Sequence, residues 1–183
     1  MSIFTLSQKI NLAKNVIVKR PIYVQFYITS RCNLACEQCS IIHADAKHQE
    51  MNIEQINKVA ENLKKIGVTI VLLIGGEPFV RKDLFNIISE IIDKSNVPRV
   101  SIKTNGFYLK RIKECVPQLI KKYKNTEITL SISLDGPEEI HDKVRNFKGA
   151  YNKVLETIDE MKVYRKEKNF FLRLASVLTE DNK

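Results

Sequence analysis

Three of the four cysteines in this chain lie within eight residues of one another, in the stretch SRCNLACEQCS from Ser30 to Ser40. They have the spacing C-x3-C-x2-C and are Cys32, Cys36 and Cys39. Cysteines spread through a secreted domain form disulfides, whereas cysteines bunched in a reducing compartment more often bind metal. The spacing therefore predicts a metal centre built from thiolates.

Two kinds of metal centre fit three cysteines. A structural zinc site needs four ligands, and His43 or His48 would complete a Cys3His site. A 4Fe–4S cluster normally has four cysteine ligands, so three would leave one iron open to a small molecule. The spacing alone leaves both alternatives open.

Predicted strands and helices alternate along the chain and must position these residues. Segments rich in β-branched or aromatic residues predict strands at 22–28, 69–74, 99–104, 127–134 and 170–178. Apolar residues at helical spacing fall between them, as in the stripe from Ile53 to Ile66. Pro117 interrupts a later stripe, so we expect a helix that starts or kinks there. Cys115 lies beside that stripe and is interpreted as a packed apolar residue.

Unusual residues follow the first four predicted strands. The first strand leads into the cysteine stretch, and the next three lead into GGEP, TNG and SLDG, which begin at Gly75, Thr104 and Ser133. These three motifs are equally spaced at about the length of one βα unit. Each is also an ordinary turn sequence. Because the carboxyl ends of parallel strands gather on one face, four such turns beside the cysteines indicate a ligand site.

The distribution of charged residues and the length of the apolar runs argue against two classes of protein, nucleic-acid-binding proteins and membrane proteins. The chain has 30 basic and 21 acidic residues, a net charge of +9, but the basic residues fall in ones and twos. This distribution favours a solvated surface over nucleic-acid binding. The longest apolar run, Val68 to Ile74, is far too short to span a bilayer, and residues 1–20 lack the apolar core of a signal peptide. We therefore expect a soluble, cytoplasmic protein with no membrane partner.

The combination of C-x3-C-x2-C, GGEP, TNG and SLDG after successive strands resembles the radical S-adenosylmethionine superfamily. The stretch SLDGPEEIHDKVR resembles the branch that modifies peptides and builds small cofactors. The resemblance implies an α/β fold, a (β/α) partial TIM barrel, with a 4Fe–4S cluster and S-adenosylmethionine as cofactors. It implies that the three clustered cysteines bind the cluster, and that S-adenosylmethionine chelates the fourth iron.

The resemblance also assigns the strand-end residues. Gly75, Gly76 and Glu77 would receive the methionine amino group. The positions near the ribose and the methionine carboxylate would be Thr104, Asn105, Ser133 and Asp135. Arg145 would face the carboxylate, although a surface ion pair with Asp142 or Glu138 is the alternative interpretation. Gln38 departs from the pattern, because this position is usually aromatic and near the adenine.

The implied reaction is reductive cleavage of S-adenosylmethionine to methionine and a 5'-deoxyadenosyl radical, which takes a hydrogen atom from substrate. The implied partners are a peptide or small-molecule substrate and an electron donor such as ferredoxin or flavodoxin. Two alternatives remain: a zinc-stabilised, basic nucleic-acid-binding module, and a catalytically silent remnant that retains the motifs.

The domain organisation is expected to be one radical S-adenosylmethionine core over 1–183, with a lead-in segment at 1–20. We count five of the six strands usual for this core, so we expect the core to be incomplete at its C-terminal end or completed by another chain. The last predicted strand would then expose apolar residues such as Phe171, Leu174 and Val177 at an open edge, which favours association into oligomers.

Overall fold

The computed structural model describes residues 6–41 and 50–178. Strands and helices alternate along most of this range. The strands are β1 Tyr23–Thr29, β2 Ile70–Gly75, β3 Arg99–Thr104, β4 Glu127–Ser133 and β5 Phe170–Ala175. The helices are α1 Leu6–Ile17, α2 Ile53–Ile66, α3 Leu84–Ser95, α4 Leu109–Lys122, α5 Glu138–Arg145 and α6 Ala150–Met161. All five predicted strands are present, with ends that shift by at most a few residues.

The five strands form one parallel sheet in the order β1-β2-β3-β4-β5. A parallel sheet in sequence order, with helices in the connections, is the architecture of a partial barrel. The predicted fold class is therefore confirmed for the described residues. Because the carboxyl ends of parallel strands share one edge, the cysteine stretch and the three motifs lie at the same edge of the sheet.

The core lies between the sheet and the helices. Alternate residues of the central strands are fully buried there, including Val71, Leu73, Val100, Ile102 and Leu130. They pack against the apolar stripes of α2, α3, α4 and α6, as at Ile56, Ile88, Leu119 and Val154. Each strand therefore packs one face against the helices. Its other face is available to line a cavity.

Two features of the helices differ from the sequence analysis. Pro117 neither starts α4 nor ends it: the helix begins at Leu109 and continues to Lys122. A proline inside a helix costs about 3 kcal/mol, and burial of Val116 and Leu119 on either side of it offsets that cost. The lead-in segment at 1–20 contains α1, whose Leu6 and Ile17 are 74% and 79% exposed.

No helix in the described part of the chain is both long and apolar enough to cross a membrane.

Candidate functional site

The cysteine stretch leaves β1 and borders a cavity of about 340 Å³ at the carboxyl ends of the strands. Cys36 is buried, Cys32 and Cys39 are half-buried, and all three are free thiols. The cavity is also lined by Arg145 at the end of α5 and by strand-end residues from the other motifs, namely Gly75, Gly76, Thr104, Asn105 and Ser133. The structure thus brings these predicted site residues together around one space.

Main-chain hydrogen bonds fix the cysteine stretch. The N–H of Cys39 donates to the carbonyl of Cys36 over 3.2 Å, which closes a turn between these two cysteines. The N–H of Glu37 donates to the carbonyl of Val144 in α5, also over 3.2 Å. The stretch is therefore tied to the far side of the site as well as to β1.

Gly75 and Gly76 allow β2 to approach the end of β1. The N–H of Gly76 donates to Thr29 O over 2.8 Å, and the next N–H, from Glu77, donates to Arg31 O over 2.9 Å. A Cβ on Gly76 would lie 2.1 Å from Arg31 O, and a Cβ on Gly75 would lie 2.1 Å from Thr29 O. Gly75 also has φ +136°, which a side chain would strain. The glycines are thus required by the backbone that leads into the cysteines, and they also line the cavity.

The side chain of Glu77 turns away from the cavity, into the protein, where it is 1% exposed. Its Oε1 accepts hydrogen bonds from Thr104 Oγ1 and the Phe79 N–H, and its Oε2 accepts one from the Asn105 N–H over 2.7 Å. Burial raises the pKa of Glu77 to about 7, although these hydrogen bonds and the charge of Arg145 lower it. Glu77 therefore anchors the end of β3 and does not itself line the cavity.

Asn105 connects this anchor to the first cysteine. Its Nδ2 donates to Asn33 Oδ1 over 3.0 Å and to Cys32 Sγ over 3.8 Å. Its Oδ1 accepts from the N–H of Phe107, so the amide is fixed in orientation. Burial raises the pKa of the Cys32 thiol, and the Leu34 N–H, which donates to its sulfur, lowers it.

Arg145 performs a similar role at the second cysteine. Its Nη2 lies 2.6 Å from Asp135 Oδ2, and its Nη1 donates to Cys36 Sγ over 3.8 Å. Burial raises the pKa of Cys36, while the positive charge of Arg145 lowers it. Its Nε is buried and has no hydrogen-bond partner among the described residues. The guanidinium therefore keeps one donor available beside the cavity.

The alternative of a surface ion pair between Arg145 and Asp142 or Glu138 is wrong. Asp142 accepts hydrogen bonds from the N–H groups of Gly149 and Tyr151, and Glu138 accepts one from Asn152. These acids hold the start of α6, so the buried Asp135 is the partner of Arg145.

His141 is a buried part of the site that sequence reasoning missed. The main-chain N–H of Asp135 donates to His141 Nδ1 over 3.1 Å, so Nδ1 is unprotonated. Burial lowers the pKa of His141, as does the nearby charge of Arg145. A neutral imidazole therefore supports the turn that carries Asp135. The signal in the sequence was weak, because one histidine among surface charges in EEIHDKVR looks exposed.

The donor set fits an iron–sulfur cluster. Three free thiols line one cavity, and the N–H groups of Leu34, Asn105 and Arg145 point at two of the sulfurs, as suits thiolates that share negative charge with a cluster. Among residues 6–41 and 50–178, no three His, Cys, Asp or Glu side chains are gathered so as to hold a single metal ion. His43 and His48, the fourth ligands of the zinc alternative, lie outside the described residues.

Cys115 has the environment predicted for it. It is 8% exposed within the apolar core, and burial raises the pKa of its thiol to about 12. It lies on α4, away from the three cysteines of the cavity.

Sequence comparison places the chain among known proteins. The family model described as "Radical SAM superfamily" matches residues 26–176. The subtilosin biosynthesis protein AlbA of Bacillus subtilis is 32% identical over 88% of the chain and 34% of its own length. Fe-coproporphyrin III synthase of Methanosarcina barkeri is 33% identical over 75% of the chain and 33% of its own length. The chain therefore spans about a third of the length of these curated relatives.

Solved structures share the fold. SuiB of Streptococcus suis, crystallised with its precursor peptide SuiA, superposes with a TM-score of 0.68 at 16% identity, over 94% of this chain and 37% of SuiB. The protein anSMEcpe, with AdoMet and a peptide bound, also gives a TM-score of 0.68, at 20% identity over 87% of this chain and 44% of its own. At these identities the structures support the partial-barrel fold alone. Taken with the family match over residues 26–176, the chain belongs to the radical SAM superfamily.

Proposed function

We propose that this chain holds a 4Fe–4S cluster through Cys32, Cys36 and Cys39 and binds S-adenosylmethionine beside it for radical chemistry. The observation that carries the proposal is the cavity, where three free thiols share one space with glycine, amide and hydroxyl groups of the strand ends and with the guanidinium of Arg145 at the end of α5. The cofactors are those of the superfamily to which the chain belongs.

We assign the cluster to the three thiols because they are the cysteines that border this cavity. Three ligands leave one iron available to the amino and carboxylate groups of S-adenosylmethionine. A cluster held by these thiols would, once reduced, supply one electron to the sulfonium of S-adenosylmethionine and so give methionine and a 5'-deoxyadenosyl radical. The residues of the chain hold the reactants in place and exclude water from them.

The contacts with S-adenosylmethionine are assigned from the cavity walls. The main-chain carbonyls of Gly75 and Gly76 suit an ammonium group, and the free Nε–H of Arg145 suits a carboxylate. Thr104, Asn105 and Ser133 are assigned to the ribose and methionine portion. Glu77 and Asp135 act through their neighbours: Glu77 fixes Thr104 and Asn105, and Asp135 fixes Arg145.

We propose a peptide substrate. Two similar proteins support this class: AlbA is named for the biosynthesis of a bacteriocin, and SuiB was crystallised with a precursor peptide. The electron would come from a small donor such as ferredoxin or flavodoxin, and free thiols in such a site are suited to a reducing cytoplasm. Phe171 and Leu174 on β5 and Val177 just after it are 41–57% exposed, which supports association at that edge with another copy or another domain.

The test is anaerobic incubation of the reconstituted protein with dithionite and S-adenosylmethionine. We expect 5'-deoxyadenosine and methionine in equal amounts, and neither product from a Cys36→Ala variant. Protein that carries four irons per chain but neither binds S-adenosylmethionine in equilibrium dialysis nor cleaves it would contradict the proposal.

A further inference from the structure

The face of the sheet turned away from the helices is polar on β3 and β4. Ser101, Lys103 and Ser131 are half-buried on this face, and Thr129 is buried. Bulky branched residues usually fill the interior of a closed barrel. Polar side chains at these positions are instead suited to a polar ligand that enters from the cavity at the carboxyl ends of the strands.

Three donors share one row across this face. The strand register pairs Lys103 with Ser131, and Ser131 with Arg173. Neighbouring strands are about 4.8 Å apart, so the Cα atoms of Lys103 and Arg173 are separated by about 10 Å with Ser131 between them. Their long side chains can therefore reach one anionic group lying over Ser131. Lys103 also borders the cavity of the three cysteines, so the row continues directly into the candidate site.

The row has surplus positive charge. Glu127, the acid on this face, is buried and lies 2.6 Å from Arg99 Nε, so that pair is neutral. Arg173 is farther away, with its Nη2 3.9 Å from Glu127 Oε1, and its side chain is 54% exposed. No carboxylate in the described residues lies within 4.0 Å of the Lys103 ammonium. Lys103 therefore has no carboxylate partner there, and Arg173 has only a long contact with a carboxylate that Arg99 already neutralises, so the row as a whole attracts an anion.

The opposite side of the same face is mainly apolar, with Gln25 as its polar residue on β1. Tyr27 on β1 and Leu72 and Ile74 on β2 line the cavity together with the cysteines. A ligand that spans the face would meet apolar contacts toward β1 and β2, and cationic donors toward β3 and β5. An extended peptide with an acidic side chain next to an apolar one has this distribution of chemistry.

We propose that Lys103, Ser131 and Arg173 bind the carboxylate of an aspartate or glutamate side chain in the peptide substrate. The carboxylate would accept hydrogen bonds from the ammonium, the hydroxyl and the guanidinium, and an adjoining residue would lie in the cavity of the cysteines. This inference rests on the proposed function, because it assumes that a peptide is the substrate.

The test is an NMR titration of the ¹⁵N-labelled, reconstituted protein in its oxidised form. The probe is N-acetyl-L-glutamate N-methylamide, and its uncharged control is N-acetyl-L-glutamine N-methylamide. We expect the glutamate probe to shift the amides of Lys103 and Ser131, and the glutamine probe to bind about tenfold more weakly. Equal binding of the two probes, or preference for inorganic phosphate over the glutamate probe, would overturn the proposal.

Single substitutions test whether the glutamate probe binds at the proposed residues. Lys103→Met should weaken binding of the glutamate probe about tenfold, whereas Lys121→Met, which removes the same charge from an exposed position on α4, should leave it unchanged. Arg173→Gln provides a second variant at an exposed side chain that does not disturb the core. Equal affinities in Lys103→Met, Arg173→Gln and Lys121→Met would also overturn the proposal.

Iron and sulfide are measured in the same preparations. A protein that binds the glutamate probe at Lys103 without retaining iron contradicts the proposed function and leaves the anion site standing. A protein with four irons per chain that does not distinguish the probes contradicts the anion site alone.

Discussion

On the β1–β2 side of the candidate site, main chain packs against main chain, whereas on the β3–β4 side, buried polar side chains contact one another. Gly76 approaches Arg31 so closely that a Cβ would lie 2.1 Å from the Arg31 carbonyl oxygen. On the other side, Asp135, with a fully buried side chain, pairs with Arg145. Both sides hold the same three cysteines in place.

The two sides should therefore tolerate different substitutions. The glycine side depends on the absence of a side chain, so any substitution must move the backbone. The polar side depends on matched charges and hydrogen bonds, so it is damaged when one partner is removed and the other stays buried.

Removing one of the three cysteines of the cavity should have the largest effect, because both sides of the site hold these residues. Cys32→Ala should abolish cluster binding, because two cysteines remain for a cluster that needs three. Iron and sulfide analysis after anaerobic reconstitution measures this. Cys115→Ala, in the apolar core, should retain the full iron content and lose only about 1 kcal/mol of unfolding free energy.

The zinc alternative predicts a different pattern. His43→Ala should leave iron binding intact, because the cluster needs no histidine. Loss of metal in His43→Ala would favour the Cys3His zinc site.

Gly76→Ala tests the steric side. The added Cβ would overlap the carbonyl of Arg31, which must move together with the start of the cysteine stretch. We expect a loss of about 3 kcal/mol of unfolding free energy, measured by urea denaturation, and a reduced iron content. Gly149→Ala is the matched control, because its φ of +84° is strained but a Cβ there meets nothing within 4 Å. It should cost about 1 kcal/mol and retain iron; equal effects of the two substitutions would contradict the steric account.

Arg145→Met tests the charged side. It leaves Asp135 buried without its cation, so we expect a loss of about 2 to 3 kcal/mol in the same urea measurement. The double variant Asp135→Asn/Arg145→Met should recover part of that loss, because it removes the unpaired charge as well. Strictly additive losses would show that the two residues do not depend on each other.

The raised pKa of Glu77 predicts that the stability of the chain depends on pH. Its pKa of about 7 in the folded protein is above the ordinary value of 4.5, so the folded chain binds a proton that the unfolded chain has released between these values. Unfolding free energy should therefore fall as the pH rises from about 5 to 7, at up to about 1.4 kcal/mol per pH unit from this group. Urea denaturation of the iron-free chain should show a flatter dependence in Glu77→Gln. An identical dependence in both proteins would contradict the burial of this carboxyl group.

Sequence patterns predicted the sheet and its functional edge, because β-branched runs alternate with helical stripes and the turn motifs fall directly after the strands. They missed α1, whose apolar residues are largely exposed and so leave no buried stripe to recognise. They also predicted that a helix starts or kinks at Pro117, whereas α4 begins eight residues earlier, at Leu109, and continues through the proline.

The contacts behind the site are less visible in the sequence. The pairing of Arg145 with Asp135 rather than Asp142 depends on how α5 folds back on the strand end, which spacing alone does not determine. Likewise, Gly75 and Gly76 were expected to receive a group of the ligand, but their closest neighbours are main-chain atoms of Thr29 and Arg31. Contacts of this kind join segments that are distant in sequence, so they can be recognised only once the positions of the strands are known.

A Mössbauer spectrum of the ⁵⁷Fe-reconstituted protein, with and without S-adenosylmethionine, measures directly whether the three cysteines hold a cluster with one open iron. Three cysteine ligands predict a 4Fe–4S cluster in which one iron of four changes its signal when S-adenosylmethionine is added, while the other three do not. A chain that takes up zinc and no iron, or a cluster whose four irons all ignore S-adenosylmethionine, would contradict the account.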